Sequence, residues 1–89
     1  MLPEIKIEEI IQFFEDLGWN FNDLNESTKA GHTYFEMYKE VDDNLIGLNL
    51  HVHRTNSTEY DLYKMEEGEL KTIRHDTVPH WRDIKDFVQ

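Results

Sequence analysis

Cysteine is absent from the 89 residues, which excludes disulfides and thiolate metal sites and leaves aromatic and aliphatic packing to hold a small core. Bases are scarce as well. Nine Lys and Arg stand against nineteen Asp and Glu, for a net charge of −10, and such a balance repels phosphate backbones and anionic lipid alike. Direct nucleic-acid binding and membrane binding are therefore not expected. The four glycines are scattered singly, so no glycine-rich phosphate loop is present. Gly-x-Ser-x-Gly, His-Glu-x-x-His and a cysteine nucleophile are missing too. A chain this short also offers little depth for a substrate pocket of ~300 to 1,000 Å³. A non-enzymatic role without a cofactor is the expectation.

No apolar run approaches the roughly 20 residues that span a bilayer. The start, Met1-Leu2-Pro3-Glu4-Ile5-Lys6, lacks the basic and then apolar segments of a signal peptide. A cytoplasmic location is expected.

What the chain does contain is enough apolar residue, 38%, for one small core, so residues 1–89 read as a single acidic domain. Pro3 suits a first helical position, and Ile7, Ile10, Ile11, Phe14 and Leu17 recur at the spacing of one buried face, predicting a helix over about 3–17. Gly18 offers a left-handed stop. Trp19 to Asn22 alternates too briefly to predict more than a short strand or packed loop, and 22–31 reads as loop.

From Gly31 the period becomes two. Phe35 and Met37 alternate with Tyr34, Glu36 and Tyr38, and Ile46, Leu48, Leu50 and Val52 alternate with polar residues. A third strand runs from Glu59 to Met65 with Tyr60 and Leu62 inward, and a fourth from Leu70 to His75. The links between them are short and polar, which favours an antiparallel meander. Asp76 or Thr77 then caps a final helix with Pro79 in its first turn and Trp81, Ile84 and Val88 on one face. The fold class expected is α+β: an N-terminal helix, a four-stranded antiparallel meander and a C-terminal helix, both helices packed on one sheet face. Trp19, Phe21, Phe35 and Trp81 are expected in the core.

Three surfaces could carry function. In the first, a two-residue turn at Asp42-Asp43 pairs Phe35 with Leu50 and Met37 with Leu48, which puts Tyr34 opposite His51 and His32 opposite His53. If Val52 then faces Tyr60, Asp61 falls beside His51 and Glu59 beside His53. His32, His51, His53 and Asp61 have the ligand chemistry of a transition-metal site, so a metal-binding or metal-sensing domain is the alternative reading. Histidines beside acids on a solvated sheet face account for the same residues with no metal.

The second surface is the acidic back of the first helix, with Glu8, Glu9, Glu15 and Asp16. The last two lie in the final turn, where the helix dipole disfavours carboxylates by roughly 0.3 to 1 kcal/mol each. The third is an acidic hairpin edge of Glu59, Asp61, Glu66, Glu67 and Glu69. Tyr34, Tyr38 and Tyr63 face outward, and exposed tyrosines among acids suit a contact surface.

The charge is densest in residues 1–26, with seven acids and one base. In size, acidity and lack of cysteine the chain is similar in kind to the nucleic-acid mimics that phages and mobile elements direct against host enzymes. The leading expectation is a protein-binding module, an inhibitor or adaptor that blocks a basic surface on a larger protein, a nucleic-acid-binding protein being one such partner. The chain itself would be a monomer, or a homodimer paired through edge strands.

Overall fold

A computed structural model of the chain describes residues 5–27 and 31–88. Pro3 and Glu4 lie outside them, but Ile5 and Lys6 are not helical, so the first helix begins at Ile7 with Lys6 as its cap rather than at about residue 3. Within them the helix α1 spans Ile7–Asp16, followed by strands β1 (Asn20–Ser27), β2 (His32–Val41), β3 (Asn44–His53), β4 (Thr58–Glu66) and β5 (Glu69–Val78), and a short 3₁₀ segment at Trp81–Asp86. The strands form one antiparallel sheet in chain order. The class is α+β as expected. There are five strands where four are expected, and one α-helix where two are.

The helix ends where its sequence says it should. Gly18 has φ of +96°, and with it the Trp19 amide donates to the Phe14 carbonyl at 3.0 Å and the Gly18 amide to the Glu15 carbonyl at 2.9 Å. This is the paired-bond stop that a left-handed residue permits. Ile10 and Phe14 are buried, while Ile7, Ile11 and Leu17 pack at the margin of the core. Phe13, which the periodicity leaves out, meets Trp81 edge to face at 5.2 Å and so ties the helix to the 3₁₀ segment.

The strand that the sequence reading leaves out of the meander, allowing at most a short strand or packed loop at 19–22, is β1. It carries a bulge at Asn22, so Phe21 pairs with Met37 and Leu24 with Phe35. Phe21 and Leu24 are three apart and would face opposite ways on a regular strand; the extra residue brings both to the core side. Period-two alternation is thereby erased, and the segment reads as loop. A second bulge, at Ile73, lies in β5.

The turn at Asp42-Asp43 forms as expected, both residues at positive φ of 51° and 68°, a backbone twist that matches antiparallel strands. Phe35, Met37, Leu48, Leu50, Val52, Tyr60, Leu62 and Val78 line the inner face, and Trp19, Trp81, Ile84 and Val88 join them in one core. Phe21 is only partly buried against that core. Asp76 and Thr77 do not cap a helix; they continue β5 to Val78. His80 is the cap instead, its ring nitrogen accepting from the Arg82 amide at 3.1 Å while the His80 amide donates to Asp83 at 3.2 Å.

The molecule measures 46 × 23 × 21 Å. The helix and the 3₁₀ segment cover one face of the sheet and leave the other open. Among the described residues, no helix is long and apolar enough to cross a membrane.

Candidate functional site

The open face is ordered in cross-strand rows that the register fixes. One row runs Asp23, Glu36, Asn49, Asp61 and His75 across β1 to β5, and the next runs Asn25, Tyr34, His51, Glu59 and Thr77. His32 stands opposite His53 at the end of the face. The β2–β3 pairing is the one the sequence predicts.

The β3–β4 pairing differs by two residues. Leu50 rather than Val52 faces Tyr60, so Glu59 lies opposite His51 and Asp61 opposite Asn49. Neither acid is beside the histidine expected for it. The cause is a tighter loop: the His53 amide donates to the Ser57 carbonyl and the Asn56 amide to the His53 carbonyl, with Asn56 at φ of 73°. Strand β4 therefore starts at Thr58, whose buried hydroxyl donates to the Asn56 carbonyl.

Between β1 and β4 the two rows enclose an open basin of about 650 Å³. Its floor and walls carry the carboxylates of Asp23, Glu36, Glu59 and Asp61, the carboxamides of Asn25 and Asn49, and the rings of Tyr34 and His51; no lysine or arginine lines it. Asp23 and Glu36 are direct cross-strand partners. Like charges so placed oppose pairing by roughly 0.2 to 1 kcal/mol.

Tyr34 stacks on His51, with ring centroids 4.2 Å apart and planes 17° from parallel. His51 also contacts His32 and His53, each at 4.5 Å between centroids. This ring-on-ring packing has an electrostatic consequence. Burial foremost, then the neighbouring His53 and His32, holds the His51 pKa below its ordinary value, and Glu59 opposes them only in part. The neutral form of His51 is thereby favoured. Its Nε2, like His32 Nδ1, is shielded from solvent and meets no hydrogen-bond partner in the protein. Among the described residues no group of three or more His, Asp or Glu is placed to hold a metal ion; His32, His51 and His53 lie together, with Asp61 in the neighbouring row.

His75, which sequence reasoning passed over, closes the row on β5. Its Nδ1 bonds to Asp61 Oδ1, and that hydrogen bond, with the charge behind it, raises the His75 pKa. Only the β4–β5 register could have revealed this pair.

Below the basin lies a smaller concavity of about 280 Å³ between Tyr38 and Tyr63. The Tyr63 ring lies across Gly47, where an added Cβ would come within 2.0 Å of it. Glycine is required here because an aromatic side chain occupies the space above the backbone. Burial, then Glu36, raises the Tyr63 pKa.

The other expected sites are dispersed. Glu8, Glu9, Glu15 and Asp16 are exposed on the back of α1, far from the open face, and Glu9 is engaged by Arg82. Glu66, Glu67 and Glu69 form the β4–β5 turn, where Glu66 meets Lys71 at 3.5 Å and Lys64 at 3.8 Å. Of the expected partner-binding residues, the fold gathers Tyr34, Glu59 and Asp61 into the basin and sets Tyr38 beside it. Asp23, Asn25, Glu36 and Asn49 complete it; the first two went unnoticed because their strand did. In searches of protein-family models, curated proteins and solved structures, the chain matches none.

Proposed function

We propose that this protein is a non-enzymatic binding module, an inhibitor or adaptor, whose open sheet face engages a basic surface on a larger protein. The observation that supports this reading is the basin: four carboxylates and no lysine or arginine line it. Two of those acids oppose each other across the β1–β2 ladder, where lysine would stabilise the pair. The helix back and the β4–β5 turn carry acids as well, but Glu9 and Glu66 have cationic partners there, as Asp61 has His75 in the basin, which leaves Asp23, Glu36 and Glu59 to carry the reading. Negative potential focused in a concavity accelerates encounter with a basic partner and favours the correct docking orientation. A second copy of the chain is a poor occupant of the sheet edges, because β1 and β5 each carry a bulge, a device that discourages edge pairing.

The test is a triple variant, Asp23→Asn, Glu36→Gln and Glu59→Gln, compared with the unaltered protein for capture of partners from host lysate at low and high salt. The expected result is a partner retained by the unaltered protein at low salt, weakened by salt, and lost by roughly tenfold or more from the variant. Capture by both proteins alike would overturn the proposal. A site for nucleic acid on the partner would show as competition between this protein and DNA or RNA.

A further inference from the structure

We propose that the basin on the open face is a pocket for one guanidinium group, an arginine side chain that the partner inserts between β2 and β4. The inference rests on the function proposed above and names the group that its site recognises.

The basin combines three features that a general acidic surface lacks. It has room, about 650 Å³ in an open concavity, which exceeds a single side chain and admits one with the backbone that carries it. It has acceptors on two sides. Glu36 on β2 and Glu59 on β4 stand in adjacent rows on either side of β3, free of the bond that ties Asp61 to His75, and strands two apart are separated by roughly 10 Å. That gap suits a planar group donating hydrogen bonds in both directions. It also has a flat aromatic wall, Tyr34 stacked on His51 at 4.2 Å, with Tyr34 still 43% exposed.

Arginine fits this set better than lysine. Its guanidinium is planar, presents five donors in a fixed fork, and stacks on aromatic faces, whereas an ammonium is a compact and strongly hydrated point charge. The lowered pKa of His51 favours its neutral form, which carries no charge to repel a cation.

The experiment titrates three capped tripeptides, Gly-Arg-Gly, Gly-Lys-Gly and Gly-citrulline-Gly, into the isotopically labelled full chain and follows its amide resonances. Saturable shifts are expected at Asn25, Tyr34, Glu36, Asn49 and Glu59 with the arginine peptide, which should bind roughly threefold or more tighter than the lysine peptide. Citrulline, the same shape without charge, should leave the spectrum unchanged. Tyr34→Leu should erase the preference for arginine over lysine, and Glu36→Gln should weaken both; a dispersed amide spectrum certifies that each variant is folded.

Equal affinity for arginine and lysine peptides, or shifts centred on the helix back, would overturn the guanidinium pocket. The two proposals fail separately. A partner whose capture depends on Asp23, Glu36 and Glu59, together with indifference to the arginine peptide, removes the pocket and keeps the function. Arginine binding with no such partner does the reverse.

Discussion

His51 and His75 lie two strands apart on the same open face, and their environments push them in opposite directions. His51 is held below its ordinary pKa chiefly by burial, so the unfolded chain takes up a proton there before the folded one does. Its contribution is therefore zero above the unfolded pKa of about 6.5, and stability falls as the pH drops below it. His75 is held above its ordinary value by its bond to Asp61. Its stabilisation is complete below pH 6.5 and disappears as the pH rises through the raised folded value. Urea midpoints measured across mildly acidic to mildly alkaline buffers should separate the two. His51→Gln should lessen the loss of stability on acidification, and His75→Gln should lessen the loss on the alkaline side of 6.5. Identical pH profiles for the two variants would show that neighbouring rings and the Asp61 carboxylate do not distinguish these imidazoles.

At the scale of the element, the two edge strands are shaped by single extra residues. The bulge at Asn22 lets Phe21 and Leu24 both face the core, so deleting Asn22 should force one of them to the open side. Full burial of such a side chain is worth ~1.5 to 3 kcal/mol; Phe21 and Leu24 are partly buried, and a loss of about 1 kcal/mol or more in chemical denaturation is expected. An unchanged midpoint would mean that the register of β1 does not depend on the extra residue. The same bulge explains which parts of the fold are legible in the sequence. Strands β2 and β3 alternate without interruption and meet at a two-residue turn, so their register, and with it the Tyr34–His51 and His32–His53 pairs, follows from pattern alone. Strand β1 breaks its alternation and cannot be read this way. The His51–Glu59 pair fails for another reason: the length of the β3–β4 loop is set by hydrogen bonds among His53, Asn56 and Ser57, which polar composition does not encode. Val78 is the only buried residue of β5, so hydrophobic pattern could not mark where that strand ends.

At the scale of the whole molecule, a net charge of −10 is divided between two faces that the sheet separates. The acids of α1 point away from the core on one side, and the basin opens on the other. Separation of this kind makes the two surfaces experimentally independent, because exposed charges more than about 8 Å apart are largely screened at physiological salt. Glu15 and Asp16 occupy the last turn of α1, which has no basic residue, and carboxylates there oppose the helix dipole. Replacing both with lysine should raise stability by roughly 0.3 to 1 kcal/mol per site. It should leave binding at the basin changed by less than about twofold at that salt concentration. The measurement pairs thermal denaturation with titration of the arginine peptide. If the charge reversal stabilises the fold and abolishes partner capture while the peptide still binds, the acids of the helix are the docking surface, and their unfavourable position in the final turn is the cost of that role.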